Sequence, residues 1–243
     1  MLKSTIQVSI RTKKLQNLLL TQTNLKSYVA TNEPIFDYKR DSLERSNLKK
    51  SLDSFLSQGV IDVPIVIGDK EIRTSNVRYQ VLPFDHKTKL AKFYYADKKL
   101  IQEAIQNSLS VRAQWESTSV EERCNVLLKA ADILAGPKRG DILASTMLGQ
   151  GKTIFQAEID AACELIDFLR FNVQFLYEAL KYKPLDVGTH TTNNMHLRGL
   201  EGFVAAIAPF NFTAIGGNLC TAPALMGNVV LFKVGYLNNY LFW

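Results

Sequence analysis

Phe203-Val204-Ala205-Ala206-Ile207-Ala208-Pro209-Phe210-Asn211-Phe212 leads into Thr213 to Met226 and then Val229-Val230-Leu231-Phe232-Lys233, and this stretch decides the fold. The first run is apolar on both of its alternating faces, as a strand buried in a parallel sheet is. The middle run has helical spacing, and the last is again strand-like. Strand, helix and strand within about thirty residues is a βαβ unit. The two strands, Phe203 to Ala208 and Val229 to Lys233, are therefore expected side by side and parallel. In an open α/β sheet, ligands collect at the carboxyl ends of the strands. Ala208 to Phe212 lies at the first such end and Val234 follows the second.

Upstream, Asp97 to about Tyr182 reads as helices. Asp97 can cap the first, with Leu100, Ile101, Ala104, Ile105 and Leu109 as its apolar stripe. Ser119-Val120-Glu121-Glu122 matches a capping box for a second, striped by Val126, Leu127, Ala130, Ile133 and Leu134 and ended by Gly136-Pro137. A third covers Arg139 to Leu148. A fourth is expected as one long helix from about Thr153 to Lys181, lined by Ile159, Ala162, Cys163, Ile166, Leu169 and Val173. Residues 44 to 58 read as a short helix with Leu48, Leu52 and Phe55 on one face. Between them, Val63 to Gly68, Glu71 to Thr74, Tyr79 to Leu82 and Leu90 to Tyr95 read as strands of one small antiparallel layer. Asn76 to Val81 alternates, so one face of that strand should be wet.

The net charge of +6 is distributed unevenly. Lys3, Arg11, Lys13, Lys14 and Lys26 all precede the first acid, Glu33, and the remainder is close to neutral. A nucleic-acid surface would place its basic patch on the folded body, so nucleic acid is not expected as a partner. Met1 to Val29, basic, rich in Ser and Thr, free of acids and with Leu at helical spacing, has the make-up of a mitochondrial transit segment; a basic tail is the alternative. The first thirty residues are expected to show no stable packing. No apolar run is long enough for a membrane span. Cys124, Cys163 and Cys220 have no metal-ligand spacing, and the three histidines form no cluster with them; they read as buried thiols, with no metal implied.

Two motifs are decoys. Gly149-Gln150-Gly151-Lys152-Thr153 resembles the end of a phosphate-binding loop, but Thr146 stands where the pattern needs Gly and a helix precedes it where a strand is needed. A helix C-terminus at Gly149 to Gly151 is the better reading. Asn211-Phe212-Thr213 is a glycosylation sequon at a strand end. Asn211 itself has two readings: its amide can donate to a carbonyl oxygen that turns negative in a transition state, or Asn serves the geometry of the turn.

Arg198 to Leu219, with its Pro209-Phe210-Asn211-Phe212-Thr213 core, resembles the aldehyde dehydrogenase superfamily, and its Phe-Asn-Phe-Thr is similar to the 1-pyrroline-5-carboxylate dehydrogenase branch. Ala222 to Leu231, Gly149 to Thr153, Gln156 to Ala162, Ile166 to Phe168, Asn32 to Pro34 and Tyr95 to Asp97 extend the resemblance from about Asn32 to Lys233. It implies an α/β fold: the N-terminal helical bundle and small strands of the family, then the first βαβ of an incomplete Rossmann-like domain for NAD. It divides the chain into a transit segment (1–31), a helical and small-sheet part (32–198), the start of the cofactor domain (199–233) and a tail unlike the family (234–243). It implies oxidation of L-glutamate γ-semialdehyde to glutamate by a Cys nucleophile, hydride transfer to NAD and a Glu-activated water. The setting would be proline breakdown in the mitochondrial matrix, by a homo-oligomer. By motif match Asn211 steadies the oxyanion, Lys233 holds the adenine ribose, and the Ala208 backbone meets the cofactor. Glu164 faces the substrate ammonium and Phe212 flanks its carbon chain.

The departures are equally specific. Lys233 is followed by Val234-Gly235-Tyr236 where the family has Pro-Ser, and no cysteine of the chain lies in a nucleophile motif. The chain as written is expected to be a truncated form of the enzyme, inactive by itself. The alternative is a short, catalytically silent isoform that acts as an interaction subunit.

Overall fold

The computed structural model describes residues 27–235; most of the expected transit segment and most of the tail lie outside the described residues. Ser42 caps helix α1 (Leu43–Ser57) by accepting from the Arg45 N–H, and α1 buries Leu48 with Leu52 and Phe55 packed beside it. Five short strands follow: β1 (Ile61–Val63), β2 (Ile65–Ile67), β3 (Lys70–Ile72), β4 (Val77–Leu82) and β5 (Asp85–Tyr94).

These strands depart from the expected single antiparallel layer. β4 pairs antiparallel with β5, but β1 joins the other edge of β5 in parallel, and β2 and β3 form a separate antiparallel pair. Pro64 is the cause. It has no N–H for a ladder, so the run from Ile61 to Ile67 breaks there and its halves serve two sheets. The burial of β4 also departs from simple alternation, with Arg78 and Tyr79 both exposed and Gln80 buried. Gln80 is fully buried and Tyr79 is 38% exposed, because the Gln80 amide donates to the Gly149 carbonyl at 3.2 Å and register shifts on both sides of Val81 turn the strand.

Four helical rods come next. Asp97 caps α2 (Lys98–Glu116) and a complete Ser119–Glu122 capping box starts α3 (Val120–Ala135), as their sequences indicate. The stripe expected on α3 is displaced. Val126 and Ile133 face outward, and Arg123, Cys124, Leu127 and Ala131 face inward. Buried Arg123 explains the shift: its Nε donates to the Leu225 carbonyl at 2.8 Å, and its Nη1 reaches the Glu116 and Thr118 carbonyls. Helix α4 (Arg139–Gln150) ends at Gly151, whose φ of 67° is the left-handed cap. The long helix expected from Thr153 is not uniform. A short α5 (Ile154–Ala157), opened by a Thr153–Gln156 capping box, runs into a π-helical segment (Glu158–Glu164) and then α6 (Leu165–Ala179). Leu127, Leu143, Ile166, Leu169, Val173 and Leu176 lie in the main core these rods enclose.

Among the first thirty residues, the described Tyr28 and Ala30 are packed, where no stable packing is expected. The Ala30 N–H donates to Gln174 at 2.8 Å and Tyr28 packs on the main core. Glu33 and Glu158, both buried, share Arg139. Arg170 adds a second contact to Glu33 at 2.5 Å, and the Tyr38 hydroxyl donates to Glu158 at 2.7 Å.

The βαβ unit forms as its sequence requires. β6 (Val204–Ile207) and β7 (Val230–Lys233) are parallel neighbours, with Val204 opposite Val230 and Ile207 opposite Lys233, and α7 (Thr213–Leu225) joins them. Only one face of β6 is covered: Ala206 is buried whereas Ile207 is 68% exposed. Gly217 lets α7 close onto α6, since a Cβ there would lie 2.5 Å from a Leu165 methyl.

Candidate active site at the end of the first βαβ strand

The loop from Ala208 to Phe212 carries the backbone from the carboxyl end of β6 to the first turn of α7. A helix start leaves N–H groups without intrahelical partners. Phe212, at the cap position, has no side chain that can accept from them. A carboxylate from elsewhere in the chain does so instead. Asp160, buried in the π-helical segment, accepts from the Thr213 and Ala214 N–H groups at 3.0 and 3.1 Å, one on each oxygen. Its charge is met by Lys152, whose ammonium lies 2.6 Å from Oδ2 and 4.5 Å from the centre of the Phe212 ring. The Thr213 hydroxyl is 2.9 Å from that of Thr146 and accepts from the Gln150 amide at 3.0 Å. The first turn of α7 is thus fastened to α4 and to the π-helical segment through four side chains.

Glu164 lies at the end of that segment and is half-buried. Burial pushes its carboxyl pKa up, the charge of Asp160 pushes it further, and Lys152 opposes them. Glu164 and Phe212 therefore share one neighbourhood through Lys152 and Asp160. Asn211 is exposed beside Phe212. At the strand ends, the buried Ala208 donates its N–H to the Lys233 carbonyl at 3.0 Å, and the Lys233 side chain is exposed. Ala208, Asn211, Phe212 and Lys233 lie at the carboxyl ends of β6 and β7 and the helix start beside them, and Glu164 is linked to that neighbourhood through the charges of Asp160 and Lys152. Lys152 and Asp160 were not among the residues singled out from the sequence. Their signal lay in the phosphate-loop decoy and in an acid four residues before Glu164, and neither spacing shows that Asp160 reaches a helix over fifty residues away.

The cysteines sit elsewhere. Cys124 is buried in the main core and Cys163 lies beside Arg139 and Pro34. Burial raises the thiol pKa of all three, that of Cys163 to about 11 with the charge of Glu158 adding to the effect. Among the described residues no group of His, Cys, Asp and Glu side chains could hold a metal ion, and no helix is long and apolar enough to cross a membrane.

Residues 73–237 match the model of the aldehyde dehydrogenase family. The chain belongs to the aldehyde dehydrogenase family. This aldehyde dehydrogenase segment is 55% identical over 209 residues to the mitochondrial Δ1-pyrroline-5-carboxylate dehydrogenase of Bos taurus, covering 86% of this chain and 37% of that protein. It is 53% identical over 207 residues to the Homo sapiens protein of the same name, covering 85% of this chain and 36% of that one. The Δ-pyrroline-5-carboxylate dehydrogenase of Mycobacterium tuberculosis bound with NAD has the same fold, with a TM-score of 0.84 and 42% identity over 90% of this chain and 42% of that one. The segment thus spans well under half the length of these aldehyde dehydrogenases.

Proposed function

We propose that this chain supplies the first part of an NAD-dependent dehydrogenase that oxidises L-glutamate γ-semialdehyde to glutamate in the mitochondrial matrix. In this reading residues 32–198 form the helical and small-sheet part, and residues 199–233 begin the cofactor domain of a homo-oligomeric enzyme. The observation that carries it is the fastening of the Phe212 loop, through Lys152 and Asp160, to the π-helical segment that ends in Glu164, in a chain 55% identical to a protein named for this substrate.

Each residue has work suited to its chemistry. The Asn211 amide, exposed at the strand end, donates to the aldehyde oxygen as it gains negative charge. Phe212 offers an aromatic wall to the carbon chain, and Glu164 offers a carboxylate to the ammonium of an amino-acid aldehyde. The exposed ammonium of Lys233, at the end of a parallel strand with the Ala208 backbone beside it, fits ribose hydroxyls. NAD, when bound, supplies the hydride acceptor. None of Cys124, Cys163 and Cys220 suits the nucleophile, since a reactive thiolate needs an electropositive and accessible setting. The 243-residue chain alone is therefore proposed to be inactive.

The test uses a polypeptide of the relatives' length that carries this segment. Asn211→Ala should slow the acylation step by on the order of a hundredfold while cofactor affinity is kept. Glu164→Gln should raise KM for glutamate semialdehyde more than for an aliphatic aldehyde of similar length. An unchanged acylation rate removes Asn211 from the mechanism. Equal effects on the two substrates make Glu164 a structural residue.

A further inference from the structure

We propose that Asp160, with Lys152 as its counter-ion, is a positioning residue that fixes the Asn211–Phe212 loop for the chemistry at the strand end. The proposal rests on the reading of Asn211 given above.

Phe212 leaves the first N–H groups of α7 to be satisfied from outside the helix, and Asp160 takes two of them. Charged acceptors make stronger hydrogen bonds than neutral ones, and a carboxylate is favoured again by the positive end of the helix dipole. With one oxygen on each N–H, the carboxylate plane fixes both the position and the orientation of the first turn. Asn211 lies two residues before the first of these N–H groups. Little chain remains in which a displaced helix start could be absorbed before it moved the amide. Lys152 does two further things. It neutralises a buried carboxylate that would otherwise be costly, and its ammonium over the Phe212 ring adds a cation–π contact that holds the aromatic wall to the same anchor. Asp160 sits in a π-helical segment, a form that recurs at functional sites. There it faces α7 while Glu164, at the end of the same segment, remains partly open.

A misplacement of about 1 Å at a reacting group can cost on the order of a hundredfold in rate. In the full-length enzyme, Asp160→Asn should slow the burst of reduced cofactor that reports acylation by on the order of tenfold to a hundredfold. The amide keeps one acceptor where two are needed. Lys152→Met should act in the same direction, and Lys152→Arg should restore most of the rate. The discriminating measurement is the double variant with Asn211→Ala. If Asp160 acts through Asn211, then Asp160→Asn should slow acylation little further once Asn211 is gone. A full additional loss in that background, or an unchanged burst in the single variant, overturns the proposal. If Asp160→Asn does not fold, Lys152→Met and Lys152→Arg carry the same cycle and the same criteria. Failure of the functional reading shows separately, as a wild-type enzyme that does not oxidise glutamate semialdehyde. The cycle is then run on whichever aldehyde the wild type accepts.

Discussion

Glu164 and Cys163 are adjacent in sequence, yet burial and charge give them different chemistry. Burial raises the Glu164 carboxyl pKa, with Asp160 adding and Lys152 opposing. A raised carboxyl takes up its proton at a higher pH than an ordinary carboxylate, so its negative charge is lost earlier on acidification. In the full-length enzyme, KM for an ammonium-bearing aldehyde should therefore begin to rise, on acidification, at a higher pH than an unperturbed carboxylate would give. KM for an uncharged aldehyde should stay flat over the same interval, and parallel profiles would contradict the assignment. Cys163, pushed up to about 11, would be thiolate to roughly one part in a thousand at pH 8. Iodoacetamide at that pH should modify it far more slowly in the folded chain than in denaturant, as peptide mass spectrometry would show. Rapid labelling of the folded form would mean an open, activated thiol. At this scale the placement of four candidate residues was legible from the sequence. Asn211, Phe212, Ala208 and Lys233 lie at strand ends that the βαβ pattern marks, and the structure gathers them there. Asp160 was not legible, because its partners include the backbone N–H groups of Thr213 and Ala214, and Lys152 follows Asp160. Contacts to backbone leave no mark in the partner's residue type.

Helix starts were readable because their causes are local. Asp97, Ser119 and Thr153 each accept from an N–H three residues on, and that spacing is visible in the sequence. Helix faces were less readable. On α3 the buried line contains Arg123, whose guanidinium satisfies the Leu225 carbonyl at the end of α7, and a hydrophobic pattern excludes an arginine by construction. Pro64 misled in the other direction: the apolar run around it looked like one strand, and its missing N–H made two. Gly217 shows what a single element contact demands. Alanine is favoured over glycine inside a helix by up to about 1 kcal/mol, but here its Cβ would lie 2.5 Å from a methyl of buried Leu165. Leu165 packs with Ile142, Ala161 and Ala214, which leaves it little room to turn away. The steric cost of an extra methyl in such a site is about 1–3 kcal/mol, so Gly217→Ala should be destabilising on balance and lower the midpoint of urea unfolding. A gain in stability would show that α6 and α7 separate easily.

Across the whole molecule, two assemblies carry different burdens. The network of Arg139, Glu33, Glu158, Tyr38 and Arg170 straps residues 30–38 across α4 and α6. Removing one partner of a buried ion pair leaves an uncompensated charge and costs about 3–5 kcal/mol, so Arg139→Met should lower unfolding free energy by that order in urea titration. A loss below about 1 kcal/mol would show that the carboxylates find other partners. The second assembly is the strand-end site, and it bears on what the 243-residue chain can do alone. Aldehyde oxidation through a thioester needs a thiolate within reach of the aldehyde that Asn211 is proposed to polarise. The chain has three cysteines. Cys124 belongs to the main helical core and Cys163 to the Arg139 network. Cys220 lies on α7, where its Sγ donates to the Gly217 carbonyl at 3.2 Å and burial raises its thiol pKa. None of them is placed or charged for attack at the end of β6. Ile207, 68% exposed, and Phe210, 60% exposed, also leave apolar surface beside the Asn211 loop, an arrangement that favours association over a closed, water-excluding pocket. The purified 243-residue protein, mixed with glutamate semialdehyde and NAD, should therefore show no rise in absorbance of the reduced cofactor above a blank. Steady turnover that survives removal of host dehydrogenases would sink this expectation, and replacing Cys124, Cys163 and Cys220 in turn would then identify the thiol that had been misjudged.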